Sequence, residues 1–465
     1  MESLIWSRLQ FAFTVSYHIL FPTLSIGLAL LLVWLEWRWL RSDDESYRTA
    51  YRFWSRIFAL TFGMGVVSGI VLSYEFGTNF AAFSAAAGNI IGPLMSYEVI
   101  TAFFLEASFL GIMLFGWKRV SRRLHFFATA MVAAGTLISA FWILSANSWM
   151  HTPAGFELRD GVFYPQDWWA IVFNPSFPYR FTHMILASFL ATTFFVAGIA
   201  GWQQLRQREA LFATRHLRLA LLTAAILAPL QVLVGDLHGL NTEVHQPMKV
   251  AAMEGRWETT AHAPLLLFAW PDQQAAMNHW EIGIPSGASL VLKHSADGVV
   301  KGLDQVEAAD RPAVGVVFFA FRVMVGLGLL FIVSAWLGLW LQRGRRSLPQ
   351  WFLRWLVVLT PAGFVATIAG WWVAEVGRQP WLVHGQLRTA EGISLLPAAQ
   401  VQTSLLAFVL LYSGLFTAFL WYLCKIIRVG PSQLPPISET QSPATHQQST
   451  PARPAFGAMS QNLED

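Results

Sequence analysis

Two histidines stand inside apolar runs and away from the basic loops. They are His18, in Phe13-Thr14-Val15-Ser16-Tyr17-His18-Ile19-Leu20, and His183, in Phe181-Thr182-His183-Met184. An ionisable side chain within a membrane span is costly, so each needs a partner or a task. For either one alone, a bond to a neighbouring helix carbonyl is the bland alternative. Two on the same side of a membrane, in a chain with 22 Trp and 36 Phe, point toward haem ligation. Met324 follows Phe319-Ala320-Phe321-Arg322-Val323; a His/Met pair is a standard low-spin haem ligation, although most buried methionines only fill a core. Arg322 needs an anion, either a carboxylate or the propionates of a haem.

Glu98 and Glu106 share one apolar run. Their spacing is about 12 Å along a helix axis and about 80° around it, so both can border one cavity at two depths. Such a pair suits a proton relay, in a two-electron enzyme or a transporter equally. The alternative is two acids bonded to polar groups on other helices. Ser139 and Asn147 extend the chain of polar groups, although serines in membrane helices more often bond their own backbone. Glu375 follows Trp371 and Trp372 and precedes Gly377-Arg378-Gln379-Pro380-Trp381. An interfacial Glu–Arg pair in an aromatic belt explains it as well as a site does. Lys249 and Glu254 carry no signal by themselves, and a solvated loop is their default.

The elements that must position these residues are apolar. Of 465 residues, 55% are hydrophobic and 12% charged, against about 25% charged in a typical soluble protein. That excludes a disordered chain and argues against a soluble enzyme. Runs long enough to span a bilayer occur at about 9–35, 54–74, 94–116, 124–146, 182–203, 217–236, 313–342, 350–375 and 403–428. The fold expected is an all-α polytopic membrane protein with about nine transmembrane helices. The N-terminus has no cleavage site and reads as the first span. The single cysteine, Cys424, excludes an intramolecular disulfide framework, a four-thiolate iron–sulfur site and covalently attached haem.

The net charge of +4 comes from short loops rather than a nucleic-acid-binding face. Arg38, Arg41, Arg48, Arg52 and Arg56 fill 36–56, and Lys118, Arg119, Arg122 and Arg123 fill 117–123. Arg206, Arg208, Arg215 and Arg218 follow, then Arg343, Arg345 and Arg346. The alternate loops are poor in Lys and Arg: 75–93 has none, and 147–181 has only Arg159 and Arg180. The alternation places the N-terminus outside and the C-terminus in the cytoplasm. Residues 1–236 then carry spans 1–6, 237–312 form a long outer loop, 313–429 carry spans 7–9, and 430–465 read as a disordered cytoplasmic tail. No internal repeat, Walker loop or dinucleotide fingerprint is present. On this topology His18, Glu98, His183, Arg322, Met324, Glu375 and Arg378 fall in the outer leaflet beneath the loop, and Glu106 alone reaches toward the middle.

Taken together, these residues resemble subunit I of cytochrome bd-type quinol oxidases, over nearly the whole chain, from Arg8-Leu9-Gln10-Phe11 to about Gly430. The specific matches are Gly377-Arg378-Gln379-Pro380-Trp381, Phe76-Gly77-Thr78-Asn79, Phe103-Phe104-Leu105-Glu106, Phe319-Ala320-Phe321-Arg322-Val323-Met324, and Lys249 with Glu254. Asn174-Pro175-Ser176-Phe177-Pro178-Tyr179-Arg180 and Gly235-Asp236-Leu237-His238-Gly239-Leu240-Asn241 resemble the short-loop branch often called cyanide-insensitive oxidases. Glu75 stands where an uncharged polar residue is expected, and Phe80 where Trp is expected.

The resemblance implies a bacterial inner-membrane terminal oxidase that oxidises quinol outside and reduces dioxygen to water with cytoplasmic protons. It implies His183 and Met324 as axial ligands of low-spin haem b, with Arg322 steadying that haem's charge. His18 and Glu375 would each ligate a high-spin haem, one a haem b and the other a haem d or a further haem b, with the pairing left open. Trp371 and Arg378 would flank the haems. Glu98 would lie beside the di-haem site, Glu106 and Ser139 would belong to a cytoplasmic proton path with Asn147 nearby, and Lys249 and Glu254 would serve quinol oxidation. A second membrane subunit is implied, with room for a small single-helix one. Two other readings stay open on the residues alone: a proton-coupled transporter using Glu98 and Glu106, and a b-type electron-transfer cytochrome that never meets oxygen.

Overall fold

The computed structural model describes residues 2–345 and 347–434. Among them are nine helical spans long and apolar enough to cross a membrane. They are built from α1 (Glu2–Ser42), α2 (Glu45–Thr78), α3 (Ala81–Glu98) with α4 (Phe104–Phe115), α5 (Arg122–His151), α6 (Trp168–Val172) with α7 (Phe177–Leu205), α8 (Ala210–His245), α11 (Val314–Leu341), α12 (Gln350–Val358) with α13 (Ala362–Val376), and α15 (Ala398–Val429). The fold class expected from the sequence is the one found. The expected tail lies outside the described residues beyond Leu434.

Several boundaries move. Residues 36–56 are not a loop: α1 runs to Ser42 and α2 begins at Glu45. Their Arg and Trp side chains are adequate helix formers and can extend beyond the apolar slab. The 75–93 segment is helical almost throughout, because alanine-rich sequence supports a helix without an apolar run. Glu98 therefore lies well inside its span rather than at its start. Between α3 and α4, Val99–Phe103 form a π-helical turn. A wider turn holds more residues, so the offset between Glu98 and Glu106 falls below the ideal-helix value. The 350–375 run is broken at Leu359–Pro361, where proline supplies no N–H to continue the helix.

The expected loop at 237–312 begins later, since α8 runs to His245, and it is structured. It contains α9 (Pro247–Glu254), the antiparallel hairpin β3 (Leu265–Asp272) and β4 (Met277–Ile284), and α10 (Gly287–Lys293). Proline at the first position opens α9, and Gly255 at φ +64° ends it in the left-handed conformation that glycine adopts without penalty. Ala251, Ala252 and Met253 dock α9 onto Val314 and Val317 of α11 and Val373 of α13. The 147–181 segment similarly holds the hairpin β1 (Phe156–Arg159) and β2 (Val162–Pro165). Trp149 and Phe163 pack it on α3. Short strands β5 (Trp381–Val383) and β6 (Leu387–Arg388) with α14 (Thr389–Gly392) follow α13.

The most buried span contains α7, which packs on α1, α5, α8, α12 and α13. At the arginine-rich end, Glu36 accepts from Thr129 Oγ1 at 2.6 Å and faces His125 Nδ1 at 2.6 Å, both partners being on α5. The His125 ring lies 4.0 Å from that of Trp117, which Arg48 and Arg52 cover at 5.2 and 5.4 Å.

Asp44 links α1 to α2. It caps α2 by accepting from Ser46 N at 2.9 Å and receives Arg215 of α8 at 2.8 Å. The Ser46 hydroxyl and the Arg215 guanidinium hold its carboxyl down from 3.8 to about 2. Asp44→Ala is expected to lower stability in detergent by about 1 kcal/mol, the usual worth of such a cap. A depressed carboxylate stabilises above its unfolded pKa and loses that contribution as pH falls through the folded one. The difference between variant and parent in thermal unfolding should therefore vanish between pH 4 and pH 2.

Candidate functional site

Four helices form a box near the end of the bundle that carries the 237–312 segment. Helix α7 packs on α8 and α13, and α11 packs on the same two, so α7 and α11 are the diagonal pair. His183 comes from α7 and Met324 from α11. The half-buried His183 ring has no hydrogen-bond partner among the described residues, and its buried Nδ1 is unpaired. Met324 packs with Val373 and Val376. A methyl group on Gly370 would stand 2.9 Å from Met324 Sδ, so glycine there leaves the thioether its room. A nitrogen and a sulfur therefore enter from opposite corners, each without a competing bond. Gln231 donates to the His183 carbonyl at 3.2 Å.

His18 on α1 shares Nδ1 with Ser68 Oγ of α2 at 2.9 Å, and its Nε2 has no hydrogen-bond partner among the described residues. Trp372 Nε1 donates to Ser16 Oγ at 3.1 Å, bringing α1 beside the end of α13 that carries Trp371 and Glu375. The Glu375 carboxylate is densely held. Its Oε1 accepts from Asn147 Nδ2 at 2.9 Å and faces His151 Nε2 at 3.2 Å, and its Oε2 accepts from Arg378 Nη2 at 2.6 Å. A carboxylate offers about four lone-pair sites, so one remains on Oε2. Arg180, Lys249 and Arg378 are all buried around this single carboxylate. Arg378 Nε and Nη1 and Arg180 Nε are buried without acceptors. Three cations against one anion, with donors left unpaired, make a cradle for further carboxylates.

The Glu98 and Glu106 side chains both face α5. Ser139 Oγ donates to Glu98 Oε1 at 2.7 Å. Glu106 packs against Gly135, where an added Cβ would lie 2.4 Å from Glu106 Cγ. Ser139 and Gly135 are one turn apart on α5, so the two carboxylates reach the same stripe of one helix.

Lys249 and Glu254 are not solvated. They are 3% and 5% exposed. They do not converge: α9 separates them by about 140°, and each faces different neighbours. Lys249 Nζ lies 3.0 Å from His151 Nδ1 and donates to Gln246 Oε1 at 2.7 Å. Burial, with Arg180 beside it, pushes the Lys249 ammonium well below its usual range. Glu254 Oε2 has no hydrogen bond and lies 4.0 Å from Arg322 Nη2; burial raises its carboxyl. Arg322 spends its donors mostly on carbonyls, those of Leu266, Met253 and Phe318, at 2.5 to 3.1 Å. It thereby pins the loop to α11, with Glu254 as its nearest anion.

Sequence reasoning missed several residues. The expected loops at 147–181 and 237–312 contain His151 and His238, yet both lie within helices, as do His125 and His216. His238 packs edge-on to His183 at 5.4 Å. His151 stands one turn after Asn147, a spacing that would have put both on one face of α5. Arg180, an ionisable residue within a turn of His183, carried a similar signal. Glu75 is fully buried and accepts from Thr14 Oγ1 at 3.0 Å and Gln10 Nε2 at 3.4 Å, so neutral donors, not a cation, surround this unexpected acid.

No three His, Cys, Asp or Glu side chains converge among the described residues. A bare ion has no site there, whereas single axial ligands beside cations without acceptors suit a planar macrocycle bearing carboxylates.

Comparison with known proteins identifies the family of the chain. The sequence profile of cytochrome bd terminal oxidase subunit I matches residues 6–431. Cytochrome bd ubiquinol oxidase subunit 1 of Bacillus subtilis is 34% identical over 443 residues, covering 92% of this chain and 94% of the relative. Cytochrome bd-II ubiquinol oxidase subunit 1 of Escherichia coli is 32% identical over 506 residues, covering 94% and 98%. The structure of bd oxidase from Geobacillus thermodenitrificans superposes with a TM-score of 0.86 at 33% identity, covering 92% of this chain and 99% of that one. The chain belongs to the cytochrome bd terminal oxidase subunit I family.

Proposed function

We propose that this chain is the haem-carrying subunit of a multi-pass quinol oxidase of the bacterial inner membrane, working with a second membrane subunit. It oxidises quinol at the 237–312 segment and reduces dioxygen to water. The observation that carries the reading is the diagonal placement of His183 and Met324 in the four-helix box. Bound haem supplies one-electron carriage between the two-electron donor and dioxygen.

His183 and Met324 would hold a low-spin haem b. His18 and Glu375 would each hold a high-spin haem, one a haem b and the other a haem d or a further haem b. Arg378 and Arg180 neutralise the carboxylates that these groups bring, and Trp371 packs beside them. Arg322 fixes the loop that covers the box.

The basic residues at the opposite end of the bundle support a cytoplasmic position for that end, with the site near the outer face. Glu254, buried and without a hydrogen bond on Oε2, accepts a proton from a quinol hydroxyl. Lys249, on the other side of α9, faces inward to the Glu375 cluster. Protons for water ascend from the cytoplasm along α5, with Glu106 handing to Glu98 beside Ser139. Charge separation then needs no pump, because electrons and protons reach the site from opposite faces.

His183→Ala and Met324→Leu should each abolish the low-spin haem signal in a reduced-minus-oxidised spectrum, with protein still in the membrane. An unchanged low-spin spectrum in both would remove the ligand assignment. Carbon monoxide added to the parent should shift only the high-spin component. Glu106→Gln should slow oxygen consumption by about a hundredfold or more, the usual range for a lost proton-transfer group, while haem content stays. Gly135→Ala, whose methyl displaces the Glu106 side chain, should slow it in the same direction. Full turnover in both would mean that protons enter elsewhere.

A further inference from the structure

His151 has no role in the scheme above, yet it is 0% exposed and touches both halves of it. It is the last residue of α5. Its Nε2 faces Glu375 Oε1 at 3.2 Å, and its Nδ1 faces Lys249 Nζ at 3.0 Å and Gln246 Oε1 at 3.3 Å. The hydrogen positions follow from the partners. Glu375, in an ion pair with Arg378, is an acceptor only, so Nε2 must carry a hydrogen. A neutral imidazole then has an acceptor at Nδ1. Gln246 Oε1 cannot donate to it, so Lys249 must. An amine and an ammonium both have hydrogens to give, so the direction holds for either form of Lys249. The bonds run one way: Lys249 to His151 to Glu375.

This chain crosses between elements. Lys249 belongs to α9 in the loop segment, His151 to α5, and Glu375 to the end of α13. Asn147 and His151 together occupy Oε1, and Arg378 occupies part of Oε2, which fixes how the carboxylate is rotated and which lone pair stays free. We propose that His151 is a positioning residue that orients the Glu375 carboxylate and transmits the placement of loop helix α9 to it. Rearrangement of α9 on quinol binding is thereby felt at the high-spin haem. The proposal rests on the reading of Glu375 as a ligand to that haem.

The test uses the complete oxidase with its partner subunit. The readouts are the carbon-monoxide difference spectrum, the electron paramagnetic resonance of the high-spin ferric haem, and its midpoint potential. The low-spin signal of His183 and Met324 reports that each variant is folded. His151→Phe, similar in bulk but without either bond, should shift the high-spin resonance and potential. His151→Gln keeps one donor and one acceptor, and should restore the parental signature. Lys249→Met should shift the same signals in the parent and add nothing in a His151→Phe background, as expected for groups acting through one chain.

High-spin signals unmoved by His151→Phe, or a Lys249→Met shift of full size without His151, would overturn the proposal. If His151→Phe does not accumulate, an unmoved high-spin signal in Lys249→Met overturns it. Glu375→Ala separates the two layers. A high-spin haem retained unchanged in that variant removes the ligand reading on which the proposal stands. A haem lost in Glu375→Ala but indifferent to His151→Phe keeps the ligand reading and removes the positioning role.

Discussion

One carboxylate organises the functional end of this protein. Glu375 sits where Arg180, Lys249 and Arg378 are buried together, and burying three cations with one anion is unfavourable unless further negative charge arrives. The helices around it are arranged to tolerate that imbalance. Asn147 and His151 reach in from α5, α9 delivers Lys249, and the turn after α13 delivers Arg378. Cofactor carboxylates would complete the charge balance, so in the proposed reading the site is finished by its ligand. The four-helix box then sets the direction of the adjoining chemistry. Its diagonal corners carry His183 and Met324, and its lid is the loop that Arg322 of α11 pins through the Leu266 and Met253 carbonyls.

Helix α5 has a second role. Its polar positions run from His125 through Thr129 and Ser139 to Asn147 and His151, with Gly135 leaving room for Glu106, and most of the acids that matter lie against it: Glu36, Glu106, Glu98 and Glu375. A single element therefore fixes the relative depth of four carboxylates. The π-helical turn after Glu98 serves this arrangement by rotating Glu106 back toward the same helix.

Much of this was legible in the sequence, and the reasons it stopped are physical. Long apolar runs report spans faithfully, so nine were readable. Apolar length does not report helices that extend beyond the hydrocarbon, which is why residues 81–93 and the ends of α1, α2 and α8 read as loops. His18, His183 and Met324 stood out because their chemistry is out of place in an apolar run. Arg180 and His151 did not, because they lie at interfaces where polar residues are ordinary. Lys249 looked solvated because a segment rich in charged and polar residues gives no sign that one lysine points inward. The π-helical turn has no composition of its own, and the partition of Arg322 between carbonyls and Glu254 depends on a hairpin that local sequence could not dock.

The arginine-rich end has a consequence of its own. Trp117 lies over His125, and Arg48 and Arg52 lie over Trp117, so the Glu36–His125 pair is sealed beneath an indole capped by guanidinium groups. Cations held on an aromatic face keep their charge at the interface while the ring excludes water. A file of water approaching from that side meets a positive field and then a dry plate. In a membrane that stores energy as a proton gradient, such a stopper would work as insulation, keeping the fully buried Glu36 from becoming a leak.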